Sequence, residues 1–172
     1  MRAYLETERL ILRNLVPEDY MAMFQWCGDP EVNTYMIYPL YKCAEDVKEY
    51  IEGLNPDDPD NYDLGFVLKD TGELIGSGGI VYNSERDVWV IGYNIRRNQW
   101  GKGLVPEAIQ GLIEYVRKNR EVKIIEGTFA AENHKSQRVM EKLGMSFYED
   151  TEYEKLDGSI CFKAKMFRKY YM

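Results

Sequence analysis

Asn94-Ile95-Arg96-Arg97-Asn98-Gln99-Trp100-Gly101-Lys102-Gly103-Leu104-Val105 is the stretch on which the reading of this chain turns. Before it, Val88 to Ile95 has the composition of a strand. After it, from about Val105 to Asn119, Val105, Ala108, Ile109, Leu112, Ile113 and Val116 make one apolar stripe at helical spacing. Pro106 falls in the first turn of that helix, where a missing amide donor does no harm. Gly101 and Gly103 at the junction let the backbone turn tightly and present amide donors outward. With the positive end of the helix dipole, those donors form a site for a phosphate or diphosphate. Spacing alone leaves open a glycine-rich turn that binds nothing. A dinucleotide fingerprint fits less well, because it calls for three glycines early in the chain and an acidic ribose anchor about 20 residues on. A Walker loop fails because no Gly-Lys-Ser or Gly-Lys-Thr follows.

Working outward, Phe66 to Lys69, Leu74 to Val81 and Val88 to Ile95 read as three strands of an antiparallel meander, turning at Asp70-Thr71-Gly72 and Asn83-Ser84-Glu85. Lys123 to Ala130 is a further strand, predicted to run parallel to the one before the helix. A shorter helix follows, capped by Asn133 and stopped at Gly144, and Phe147 to Glu154 and Ile160 to Tyr170 close the chain as strands. Upstream, Thr7 to Leu15 alternates like a half-buried strand, and helices are predicted over Glu18 to Cys27 and Ala44 to Leu54. Asn55 to Asp63, with its prolines and aspartates, reads as an exposed loop.

The 172 residues suit one domain, and 45% apolar with 30% charged residues suits a globular chain. No apolar run is long enough to span a bilayer, and Met1 to Thr7 has no signal pattern, so a cytoplasmic location is expected. Cys27, Cys43 and Cys161 are odd in number and far apart, which predicts free thiols and no metal site. The net charge of -7 argues against a nucleic-acid or anionic-membrane binder and suits a cationic partner.

Four stretches together resemble the GNAT superfamily of N-acetyltransferases, and within it the branch that acetylates ribosomal-protein N-termini. They are Thr7-Glu8-Arg9-Leu10-Ile11-Leu12-Arg13, Ile91-Gly92-Tyr93-Asn94-Ile95, Trp100-Gly101-Lys102-Gly103, and Asn133-His134-Lys135-Ser136 through Lys142-Leu143-Gly144-Met145, in family order over nearly the whole chain. The resemblance implies one acetyltransferase domain over residues 1–172. Its α/β fold would have a mixed, mostly antiparallel sheet of about seven strands, with strands 4 and 5 splayed apart, and about four helices. It also implies acetyl-coenzyme A as co-substrate, held by amides from Trp100, Gly101, Lys102, Gly103, Leu104 and Val105. Backbone near Asn94 and Ile95 would pair with the pantetheine arm, Arg96, Arg97 and Lys102 would add charge, and Asn133 and Ser136 would contact the coenzyme.

The chemistry implied is attack of a neutral amine on the thioester, with a base to deprotonate the ammonium and an acid to protonate the leaving thiolate. The positions at which family members often carry a glutamate or a tyrosine for this hold Val90, Thr128 and Met140 here. Ser136 is therefore the candidate proton donor. Glu126 is the candidate base, with a strand-surface carboxylate as its other reading. Asn133 has a second reading as a helix cap, and the sole histidine, His134, reads as an exposed helix residue. Trp26, Tyr35, Tyr38 and Tyr41, with Asp29 and Glu31 nearby, are the candidate acceptor pocket, since aromatic faces and carboxylates suit a cation; they serve equally as core cover. The acceptor expected is a peptide or protein N-terminus. A small-molecule amine, a non-catalytic acyl-coenzyme A sensor and a possible homodimer stay open.

Overall fold

In the computed structural model, residues 3–172 are described, and they form eight strands in a single sheet with helices on both faces. The strands are β1 (Tyr4–Glu6), β2 (Leu10–Asn14), β3 (Asn61–Leu68), β4 (Leu74–Asn83), β5 (Val88–Ile95), β6 (Ile124–Ala130), β7 (Ser146–Glu154) and β8 (Cys161–Tyr170). The helices are α1 (Tyr20–Cys27), α2 (Pro30–Asn33), α3 (Ala44–Glu52), α4 (Leu104–Arg117) and α5 (His134–Lys142). The sheet order is β1-β2-β3-β4-β5-β6-β8-β7, and every pair is antiparallel except β5 with β6, which the α4 crossover makes parallel.

Most elements lie where the pattern of apolar residues puts them, β5 to the residue. The count rises from seven strands to eight because a short β1 pairs with β2, and a short α2 follows α1. The splayed pair is therefore β5 and β6 in this chain's numbering. Asn61 to Asp63 is strand rather than loop, since β3 starts at Asn61 and runs opposite β4 through Val81 and Gly79.

Each face of the sheet has its own core. α4 lays its stripe from Leu104 to Val116 on Leu10, Leu12, Leu64, Phe66 and Trp89, joined by Met140 of α5 and by Phe129 and Phe167. Leu112 and Ile113 are fully buried there, each worth about 1.5–3 kcal/mol relative to exposure. On the other face Met23, Trp26 and Cys27 of α1 and Val47 and Ile51 of α3 pack on Leu15, Val67 and Leu74. That second layer covers only one end of the sheet. Over the rest of this face Val81, Gly92 and Thr128 are exposed, leaving the middle of β4, β5 and β6 bare.

Candidate functional site

β5 and β6 pair only at Trp89 with Ile125 and Val90 with Glu126. Beyond that point they part, so the facing edges of Ile91–Ile95 and Gly127–Ala130 have no strand between them. The open end of the gap meets the loop that leads into α4. Gly101 and Gly103 there have φ of 76° and 75°, a left-handed conformation that costs any side-chain-bearing residue about 1–2 kcal/mol. In this bend the amides of Gly101, Lys102 and Gly103 donate to no acceptor among the described residues. Those of Leu104 and Val105 open α4, where a helix leaves its first donors without partners. A Cβ on Gly101 would meet nothing within 4 Å, so the surface at this glycine is open.

A latch from the chain's start holds the bend. The Thr7 hydroxyl donates to Glu107 Oε2 at 2.5 Å, and the Arg9 amide and Nε donate to the same carboxylate at 2.9 and 2.8 Å. Arg9 also donates to the Lys102 carbonyl at 2.9 Å. Thr7 and Arg9 lie in the opening segment that carries the family resemblance. Their contact with the first turn of α4 is a role that the sequence alone does not disclose.

At the gap itself, Asn94 points to the bare face, where its Oδ1 accepts from the Ser77 hydroxyl at 3.1 Å and its Nδ2 donates to the Tyr38 hydroxyl. Tyr93, next along β5, points to the opposite face, where its hydroxyl is hydrogen-bonded to the Ser136 hydroxyl. Burial pushes the Tyr93 phenol up to about 12, with the Ser136 bond pulling the other way. Ser136 is buried in the first turn of α5, and its amide donates to Asn133 Oδ1 at 3.3 Å, so Asn133 caps that helix. His134 is exposed. Lys135 holds its ammonium 3.6 Å from the centre of the Trp100 ring, which itself packs between the two cores and donates from Nε1 to the Ile95 carbonyl at 3.2 Å.

Other candidates are placed elsewhere. Glu126 is 1% exposed and lies between two arginines, accepting from Arg86 at 2.7 and 2.8 Å and from Arg168 at 2.9 Å. Two guanidinium groups thus neutralise this carboxylate, the arrangement of a structural ion pair. Trp26 is 0% exposed and belongs to the core beneath α1, not to a pocket wall. Arg96 is spent on Asn98, Gln25 and Glu73, and Arg97 pairs with Asp29 and Glu31, so neither offers unshared charge at the bend. Lys102 is exposed, its ammonium 3.2 Å from Gln99 Oε1.

The segment after α2 arches over the bare face and is pinned to the β7–β8 hairpin. Tyr153 donates to the Tyr35 carbonyl at 2.6 Å, and Lys155 donates to the Asn33 and Met36 carbonyls at 2.9 and 2.8 Å. This strap carries Tyr38 to Asn94, and the Tyr38 and Tyr41 rings meet edge to face with centroids 6.1 Å apart. Below it the bare face carries Gly79, Gly92 and Thr128, with Asp63 of β3 in register with Gly79 at one side, its Oδ2 accepting from the Tyr50 hydroxyl of α3. Burial raises the Asp63 carboxyl, and the Tyr50 bond opposes the rise. Among the described residues no cluster of His, Cys, Asp or Glu is arranged to hold a metal, and no helix is long and apolar enough to cross a membrane.

Comparison with known proteins adds three relatives and a family. Residues 9–146 match the family described as Acetyltransferase (GNAT) domain. A Bacillus licheniformis protein named uncharacterized N-acetyltransferase p20 is 35% identical over 163 residues, which cover 91% of this chain and 90% of that protein. Two solved structures share the fold. RimL, the ribosomal L7/L12 alpha-N-protein acetyltransferase in complex with coenzyme A, superposes with a TM-score of 0.85 at 15% identity, covering 98% of both chains. The microcin C7 self-immunity acetyltransferase MccE, in complex with acetyl-CoA and AMP, gives 0.83 at 18% identity, covering 95% of this chain and 93% of the other.

Proposed function

Because the chain belongs to the GNAT acetyltransferase family, we propose that it moves acetyl from acetyl-coenzyme A to a primary amine, and that the amine is the N-terminus of a peptide or protein. The observation that carries the first part is the bend at Gly101 and Gly103. Its unengaged amides, left-handed glycines and open surroundings at the start of α4 fit a diphosphate, the most highly charged part of the coenzyme. On this reading the amides of Gly101 to Val105 hold the diphosphate. The free edge of β5 from Ile91 to Ile95 accepts the pantetheine arm as an added strand would.

The coenzyme supplies the acetyl group as a thioester. This chain's residues supply the rest. Amides along the β5 edge stabilise the oxyanion that develops on the attacked carbonyl. Ser136 and Tyr93, hydrogen-bonded through their hydroxyl groups beside that edge, are the donor to the departing sulfur. A phenol raised toward 12 keeps its proton through neutral pH, as an acid must.

The bare face favours an extended acceptor. A floor running from Val81 past Gly92 to Thr128, roofed only by the strap at Tyr38, admits a chain that lies across it with its amine at the gap. RimL acts on the N-terminus of a ribosomal protein; MccE is an immunity enzyme, and the same fold serves both. Two measurements test the reading. Coenzyme A at 100 times its dissociation constant should stabilise the protein by about 2.7 kcal/mol, and Ser- and Ala-initiated peptides should be acetylated more efficiently than spermidine. No stabilisation by the coenzyme would overturn the transfer chemistry; efficient spermidine acetylation without peptide turnover would overturn the acceptor.

A further inference from the structure

We propose that Asp63 is the acceptor-side base acting through water: its carboxylate draws the incoming ammonium over the glycine floor and takes its proton along a bridging water. The assignment rests on the acetyl-transfer reading above and deepens it. It supplies a group that Val90, Thr128 and Met140, at the positions where relatives often carry theirs, do not.

Strand register is the first argument. Asp63 pairs with Gly79, and Gly79 pairs with Gly92, so the three lie in one row on one face of the sheet. The next row, Gly65, Ser77 and Asn94, shares that face. Neighbouring strands are about 4.8 Å apart, which puts the Asp63 backbone about 10 Å from the β5 edge with only a glycine between. A Cβ at Gly92 would meet nothing within 4 Å, whereas one at Gly79 would come within 1.9 Å of the Tyr62 carbonyl, so the floor itself carries no side chain between carboxylate and gap, and the Tyr38 hydroxyl reaches over it to Asn94. The span from Asp63 to the β5 edge exceeds the reach of one amine, so the amine meets the Asp63 carboxylate through water lying over the glycine floor.

Charge is the second. Asp19, Asp29, Glu107 and Glu126, other carboxylates withdrawn from water, each face an arginine: Arg13, Arg97, Arg9, and the pair Arg86 with Arg168. Asp63 faces a phenol instead. Tyr50 donates to Oδ2, and Oδ1 has no hydrogen-bond partner among the described residues. The titratable groups that face it are Cys27 of α1, Tyr38 of the strap and Tyr50 of α3, all neutral acids raised by burial and none a cation. A half-buried carboxylate without a counter-charge is unfavourable until a cation arrives, and the ligand proposed brings one. Asp63 also lines a small pocket with Leu15, Ile51, Leu54 and Asn61, on the α3 side of the carboxylate and away from β5.

The ammonium gives one proton to Asp63 Oδ1 through a bridging water, and the freed lone pair forms the C–N bond to the thioester carbonyl. The C–S bond then breaks and its electrons leave with sulfur, which takes a proton from the Ser136–Tyr93 pair. The nitrogen loses a second proton, which returns to that pair through solvent, and Asp63 passes its proton to water.

The experiment compares wild type with Asp63→Asn and Tyr50→Phe, using a Ser-initiated peptide, an Ala-initiated peptide and spermidine as amines. Asp63→Asn should lower kcat/KM for the amine by ~100-fold or more while leaving the thermal shift with coenzyme A unchanged. It should also abolish the acid limb of the pH profile. Tyr50→Phe should move that limb to higher pH, because the Tyr50 bond pulls the Asp63 carboxyl down. Without any substrate, Asp63→Asn should gain thermal stability over wild type as the pH rises above 3.8, since a raised carboxyl favours folding only while protonated. Turnover of Asp63→Asn equal to wild type, or an acid limb that Tyr50→Phe leaves in place, overturns the assignment alone. A wild-type protein that binds coenzyme A yet acetylates none of the three amines overturns the proposed function, and this assignment with it.

Discussion

Tyr93 of β5 and Ser136 of α5 are hydrogen-bonded through their hydroxyl groups across the gap where β5 and β6 have parted, and the phenol also reaches the Ser136 carbonyl at 3.4 Å. Neither residue alone is remarkable on the chain, since one is a strand tyrosine and the other a serine in the first turn of a helix. Together they put two exchangeable protons where the thioester sulfur is proposed to lie, while Met140 holds the position at which relatives often carry a tyrosine. Ser136→Ala and Tyr93→Phe are each expected to lower kcat by ~100-fold with little change in the affinity for acetyl-coenzyme A. The double variant should lose scarcely more than either single one, because groups that act as a unit are not additive. Steady-state kinetics on the three proteins decides it: additive losses would mean two independent roles.

The bend is tested by its glycines. At Gly101 an added Cβ meets nothing, so Gly101→Ala carries only the cost of holding φ at 76°, about 1–2 kcal/mol. If relieved by a change in φ, that strain turns the amides away from the coenzyme. The expected outcome is a weakened affinity for coenzyme A, read by calorimetry, with the fold intact by circular dichroism. Unchanged affinity would show that the bend holds nothing.

Glu126 separates a structural carboxylate from a catalytic one. It is buried among Val90 and the β8 strand with Arg86 and Arg168 closed on it, and removing it strands two guanidinium groups, one of them only 14% exposed. Breaking such a pair costs about 3 kcal/mol or more when both partners are buried, and somewhat less here because Arg86 is 43% exposed. Glu126→Ala should therefore melt at a markedly lower temperature while its folded fraction keeps the kcat of the wild type. A large fall in kcat at a temperature where the variant is fully folded would restore Glu126 as the base.

How much of this was legible depends on whether the partner is near in sequence. The strand, turn and stripe from Val88 to Val116 are local signals, so the bend and the crossover could be read directly. Arg96 and Arg97 could not, because what neutralises them comes from Gln25, Glu73, Asp29 and Glu31 in distant segments. Trp26 could not be placed either, because the buried side of its helix, Met23, Trp26 and Cys27, is set by α3 and the sheet packed against it. Asp63 was hidden by its surroundings: the prolines and aspartates from Asn55 onward look like loop. The alternation of Tyr62, Leu64 and Phe66 against Asp63 and Gly65 is the signal of a strand with one polar face.

The latch gives the last prediction a definite pH dependence. Burial alone would raise the Glu107 carboxyl, but the donors from Thr7 and from the Arg9 amide and guanidinium outweigh it and hold it below the ordinary 4.5. A carboxyl lowered on folding stabilises the protein above its unfolded value, and that contribution is lost as the pH falls through the folded one. Glu107→Gln should thus melt below wild type at neutral pH, with the difference shrinking once the pH drops under 4.5. The same variant loosens Thr7 and Arg9, and with them the Arg9 contact to the Lys102 carbonyl, so it should also bind coenzyme A less tightly at neutral pH. Melting curves between pH 3 and 8, with and without the coenzyme, measure both. A melting difference that stays constant across that range would mean that Glu107 acts through shape rather than charge.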